Sequence, residues 1–163
     1  MRHTISFTLA IMLSALGVSV PTWAGELVRA KGDFTVEIDF STLALRPVDE
    51  NCLLTIEGVV NFTGTLEGIA LARTRALALA SCEEVSTSPP GAYEDVFTSA
   101  FEFAGKVDGR PVVADFTYRG RTAIGGEIDA VFAPSNGFRG RLFVNAIVAV
   151  GGSYNGYLRV VNH

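Results

Sequence analysis

The chain has 163 residues, 17 of them acidic and 13 basic, for a formal charge of −4, with two histidines and two cysteines. That length suits one domain with a real core. A mildly acidic chain with scattered arginines has no electrostatic footprint for nucleic acid and no basic anchor for anionic lipid.

The first 24 residues read as a secretory signal. Arg2 and His3 form a short positive start, Ile5 to Val20 is mostly apolar, Pro21 breaks the run, and Thr22-Trp23-Ala24 is a small-residue cleavage site. The sixteen apolar-rich residues fall short of the roughly 20 that span a bilayer. No cysteine follows to take a lipid. The expectation is therefore an exported protein, secreted or periplasmic, with residues 25–163 as a single domain and no stable membrane anchor after cleavage. With Arg2 gone, 12 basic residues face 17 acidic ones, a net charge of −5.

From Gly25 onward the dominant period is two, the mark of half-buried strands. Phe34, Val36, Ile38 and Phe40 alternate with polar residues, and a connection is expected at Thr42–Asn51. Leu54, Ile56, Val60 and Phe62 repeat the pattern. The alanine- and leucine-rich stretch 69–80 has helix-forming residues. Yet Leu71, Leu77 and Leu79 make no helical stripe and share one face of a strand. Ser88-Pro89-Pro90-Gly91 marks a loop over Glu83–Glu94. Phe97, Phe101 and Phe103 then lead to Asp108-Gly109, a two-residue hairpin signal that pairs Phe103 with Ala114, Phe101 with Phe116 and Ser99 with Tyr118. Ile128, Ala130 and Phe132 precede Ser135-Asn136-Gly137, a three-residue loop that would set Phe132 by Gly140 and Ala130 by Leu142. After the Leu142–Val148 strand, Gly151-Gly152 reads as a turn into the last strand, Tyr154 to Val161. Gly156 reads there as a bulge or close approach. No helix follows these glycines and no P-loop lysine accompanies them, so they hold no phosphate. About eight strands joined mostly by tight turns predict an all-β fold, an eight-stranded antiparallel up-and-down barrel, with a β-sandwich as the alternative.

The cysteines sharpen the register. With Leu66-Glu67-Gly68 as a three-residue loop, Phe62 meets Ala72, Leu54 meets Ala80 and Cys52 meets Cys82. Directly paired strand residues lie within disulfide reach, and an exported chain favours oxidation. A Cys52–Cys82 disulfide is expected.

The same composition excludes much chemistry. The mature chain would keep one histidine, His163, at its end, so a Ser-His-Asp triad is not expected. With the cysteines bridged, neither is a metal site, and no cofactor is implied. Glu37 with Asp39, and Glu127 with Asp129, read as solvated strand faces. On the register above, Arg73 lies opposite Asn61, Arg75 opposite Val59 and Glu57 opposite Leu77. If that face points inward, Glu57, Arg73 and Arg75 line a cavity. If it points outward, the leucines form an exposed patch suited to a subunit interface and a homo-oligomer, and the alanine face is core. Ser99, Tyr118 and Tyr154 are the other candidates, polar groups on otherwise apolar faces. None is assigned a catalytic role.

Four stretches carry a family resemblance: Phe62-Thr-Gly-Thr-Leu-Glu-Gly68, Gly120–Glu127, Gly137-Phe-Arg-Gly140 and Val150-Gly-Gly-Ser-Tyr-Asn-Gly-Tyr157. The chain resembles the bacterial proteins related to allene oxide cyclase, eight-stranded barrels of the calycin type. Ser153-Tyr154 stands where Thr-Gly is usual in such barrels. The resemblance implies the barrel over most of residues 27–161 and carries no catalytic position across. Three functions stay open: binding of a small lipophilic molecule in the barrel, a solid structural barrel that assembles subunits, and a cyclase or isomerase using Arg73, Glu57 and Tyr118.

Overall fold

A computed structural model describes residues 25–161. The expected signal segment 1–24 and His163 lie outside the described residues. Eight antiparallel strands close into one barrel in chain order. They are β1 (Leu27–Val48), β2 (Asn51–Gly64), β3 (Leu66–Ala78), β4 (Asp95–Val107), β5 (Arg110–Thr122), β6 (Glu127–Pro134), β7 (Phe138–Ile147) and β8 (Gly151–Val160). β8 returns to pair with β1, from Leu27 opposite Arg159 to Thr35 opposite Gly151. Closure leaves no unpaired edge, and the barrel, not the sandwich, is the fold.

The β4–β5 register is the expected one, with Val107 opposite Arg110, Phe101 opposite Phe116 and Ser99 opposite Tyr118. Two other registers differ. β2–β3 places Phe62 opposite Gly68 and Cys52 opposite Ala78, because Leu66 is not a loop residue. It is 1% exposed and opens β3, so the chain reverses around Thr65. β6–β7 places Phe132 opposite Leu142 and Ala130 opposite Val144. There Pro134 leaves β7 to pair with Phe116 of β5, and Phe138 turns in to plug the barrel beside Val160. Both slips are even-numbered, so every side chain keeps its face.

Three connections also differ from expectation. β1 continues through the expected loop at Thr42–Asn51, breaking register only between Asp39 and Ala44, and reverses at Asp49, which has φ 53°. The segment after β3 is not all loop: α1 (Cys82–Thr87) starts there, with the Ser81 side chain capping the Glu84 N–H. Gly151 and Gly152 belong to β8 itself, and the turn lies just before them, at Ala149 with φ 61°. A Cβ at Gly151 would strike the Phe34 carbonyl, and one at Gly152 the Asn145 carbonyl. These glycines let three strands approach closely at the seam where the barrel closes.

The lumen follows from alternation. On β3 the inward residues are Ala70, Ala72, Thr74, Ala76 and Ala78, while Leu71 and Leu79 are exposed on the outer surface. The small residues make a thin wall, facing packed rings toward one end of the lumen and open space toward the other. Phe62 packs on Phe34, Phe101, Phe103, Phe132 and Tyr154, with centroids 5.6–6.4 Å apart. An eight-stranded barrel is just wide enough to be filled by side chains or to hold one small ligand. This barrel does one at each end. The end near the β2–β3 and β4–β5 turns is solid, closed by Leu66, Phe103, Val107, Leu142, Tyr154 and Leu158, all at most 1% exposed. The opposite end is hollow.

Candidate functional site

The hollow end is a cavity of about 170 Å³. Its floor is Phe34, Phe97 and Tyr118, and its walls include Leu54, Ile56, Ala72 and Ala76. The Tyr118 ring is held against Phe97 at 4.9 Å and Phe132 at 4.4 Å. An engineered apolar cavity of about 150 Å³ binds benzene, whereas drug-sized sites run to roughly 300–1,000 Å³. The enclosed space therefore matches a ligand of about one ring.

A strap closes much of the mouth. The segment from α1 to β4 crosses it, with Val85 buried over the cavity and Ser88, Pro90 and Gly91 along its rim. The strap is fastened at both ends. Cys82, the first residue of α1, is disulfide-bonded to buried Cys52 with Cα atoms 4.8 Å apart. The bond is the expected one, but it joins a strand to a helix start and not two paired strand residues. At the far side the Gly125 N–H donates to the Gly91 carbonyl at 2.9 Å.

Inside the barrel, the polar side chains lining the cavity come from β3, β4 and β5 among the described residues. Thr74, Ser99 and Tyr118 stand side by side across the three strands. The Thr74 and Ser99 hydroxyls satisfy each other at 2.7 Å. The Tyr118 hydroxyl is fully buried and has no hydrogen-bond partner among the described residues. Two inward-facing pairs nearer the mouth, the buried Thr122 hydroxyl donates to Asp95 Oδ1 at 3.0 Å. Burial raises the Asp95 carboxyl from 3.8 to about 6, partly offset by the Thr122 hydrogen bond. Burial, then the Asp95 charge, raises the Tyr118 phenol well above its ordinary value. The same two causes raise the half-buried Tyr93 at the rim.

Against this geometry the sequence candidates separate. Ser99 and Tyr118 line the cavity. Arg73 and Arg75 do not, because the leucine face of β3 is the outer one. The corrected register sets Arg73 opposite Glu57, and they form an exposed ion pair at 3.4 Å, with Glu102 3.9 Å away on the other flank. Such surface pairs contribute little. Glu57 borders the cavity mouth, but its carboxylate is on that outer face. Tyr154 lies in the solid end, where it accepts from the Leu66 N–H at 2.8 Å and donates to the Thr63 carbonyl at 3.0 Å. No protein-family model and no curated protein matches the chain. What the cavity does must be read from its own groups.

Asp95 and Thr122 were legible in principle. Asp95 shares the parity of Phe97 and Ser99, and Thr122 that of Phe116 and Tyr118. Extending those inward faces one step from Phe97, and two from Tyr118 past Gly120, reaches both. Tyr93 lies on the strap, where no strand period applies.

The Asp95 environment predicts an unusual pH dependence. Its folded-state pKa lies above the unfolded value, so folding takes up a proton between the two. Asp95 costs nothing below about pH 4. Its cost grows as the pH rises from about 4 through about 6 and then levels off, on the order of 3 kcal/mol. Asp95→Asn should therefore raise stability to urea by about that amount at pH 7.5 and change it little at pH 4. Equal gains at both pH values would contradict the assignment.

Proposed function

We propose that this protein is an exported binding module that holds a small, mostly apolar molecule in the open half of the barrel. The observation that carries the reading is the cavity of about 170 Å³ floored by aromatic rings, with one orphaned phenol at Tyr118. Buried polar atoms are nearly always partnered, and an unpaired one costs about 1–3 kcal/mol. A ligand oxygen or nitrogen at Tyr118 would satisfy it while the ligand's apolar body fills the space against Phe97, Ile56 and Ala76.

The compartment fits this reading. The Cys52–Cys82 bond is compatible with an oxidising environment, and the N-terminal 24 residues supply the export signal in the sequence. The barrel also supports kinship with the allene oxide cyclase-like calycin barrels at the level of fold. The cyclase or isomerase reading loses ground, since of Arg73, Glu57 and Tyr118 only Tyr118 has its functional group in the lumen. A solid structural barrel loses ground to the cavity.

Ala76 lies on the cavity wall between Leu54 and Phe97 and is buried. Ala76→Phe should fill the space from within. Toluene is expected to raise the Tm of the wild-type protein and to leave that of Ala76→Phe unchanged. No shift in the wild type with toluene or with a panel of one-ring alcohols, ketones and amines would reject the binding reading.

A further inference from the structure

We infer that the ligand is a lipophilic amine, bound as its ammonium ion between the Asp95 carboxylate and the Tyr118 hydroxyl. The inference rests on the binding reading above and adds the charge of the occupant. No lysine, arginine or histidine is among the described residues lining the cavity. Asp95 is its single carboxylate facing inward from β4, and its one hydrogen bond comes from Thr122. A half-buried carboxylate without a cationic partner is costly and calls for positive charge. The surrounding surface favours the same sign. Phe34, Phe97, Tyr93 and Tyr118 line it, and the π-face of an aromatic ring attracts cations and repels anions.

Tyr118 supplies the second, independent contact. It is 7% exposed, and its hydroxyl has no partner among the described residues. Asp95 and Tyr118 both line the cavity, and the hydroxyl makes no hydrogen bond to the carboxylate. An ammonium N–H donates to each of two acceptors at once, which an ether or ketone cannot do. A carboxylic acid ligand would meet Asp95 with like charge and find no basic residue to hold it. A one-ring amine matches the volume, with its ring over Ala72, Ala76 and Ile56.

Isothermal titration at pH 7.5 with benzylamine, benzyl alcohol, toluene and benzoate tests this. The expected order places benzylamine at least about tenfold tighter than benzyl alcohol or toluene, with benzoate not bound. Asp95→Asn should abolish the preference for benzylamine over benzyl alcohol while leaving toluene affinity within about twofold. Tyr118→Phe should weaken benzylamine and spare toluene. Benzyl alcohol or toluene binding as tightly as benzylamine would overturn the amine assignment and leave the binding reading standing. Failure of all four to bind would overturn both. An amine preference that survives Asp95→Asn would also overturn the assignment, because the carboxylate would then not be its source.

Discussion

Replacing Cys52 and Cys82 together by alanine should lower the unfolding free energy by about 3–4 kcal/mol. The bond closes a loop with a sequence separation of 30, and chain-entropy estimates for that length give this range. Equilibrium urea unfolding would show it as a lower midpoint. Reducing the wild-type protein should reproduce most of the loss, which separates the bond from the alanine substitutions. The effect is also local. Cys82 begins the helix that carries Val85 over the cavity, so the reduced protein should lose ligand affinity while keeping its strand signal in far-ultraviolet circular dichroism. An unchanged midpoint would mean that the strap is held by its other contacts alone, chiefly the Gly91–Gly125 hydrogen bond.

The second large effect is expected at the solid end. Tyr154→Phe removes one hydroxyl that serves two backbone groups of the β2–β3 turn, the Leu66 N–H and the Thr63 carbonyl. Leu66 is 1% exposed, so its N–H has no water to turn to. Leaving a buried donor unsatisfied and losing the second bond should cost roughly 2–4 kcal/mol. The phenol does not ionise near neutral pH. Burial raises it to about 12, against the lowering effect of the Leu66 hydrogen bond and with help from the Asp33 charge. The loss should therefore be the same at pH 5 and pH 8. Hydrogen exchange offers the sharpest readout, with the Leu66 amide losing protection in Tyr154→Phe. Full protection there would contradict the anchoring role. The turn also needs Gly32, because a Cβ at that position would strike the Thr63 carbonyl.

These two sites show where sequence reasoning reaches and where it stops. Period-two alternation reports which face a residue occupies, and it identified the strands and the inward rings. It is blind to even-numbered slips. Moving β3 along β2 to pair Phe62 with Gly68 leaves every face unchanged, so the pattern accepted both registers. Only β4–β5 was pinned, because Asp108-Gly109 admits one tight turn. The disulfide was legible from two cysteines in a chain whose sequence reads as exported. Its partner element was not, because the Ser81 cap and the six-residue helix α1 lie in a segment whose Ser-Pro-Pro-Gly end reads as loop. The face of β3 was ambiguous for a different reason. Leucine is the better core residue by hydrophobicity, but rings from β1, β2, β4, β5 and β6 take up much of the lumen, and alanines leave the rest open. That volume constraint depends on distant strands and is invisible in a local window, and it is what moved Arg73 and Arg75 to the outer surface.

The hollow half of the barrel is the central claim, and methyl NMR with bound toluene tests it most directly. Intermolecular nuclear Overhauser effects are expected to the methyls of Ile56, Ala72 and Ala76, which line the cavity. Effects confined to the exposed Leu71, Leu79 and Val113 methyls, or none at saturating toluene, would contradict it.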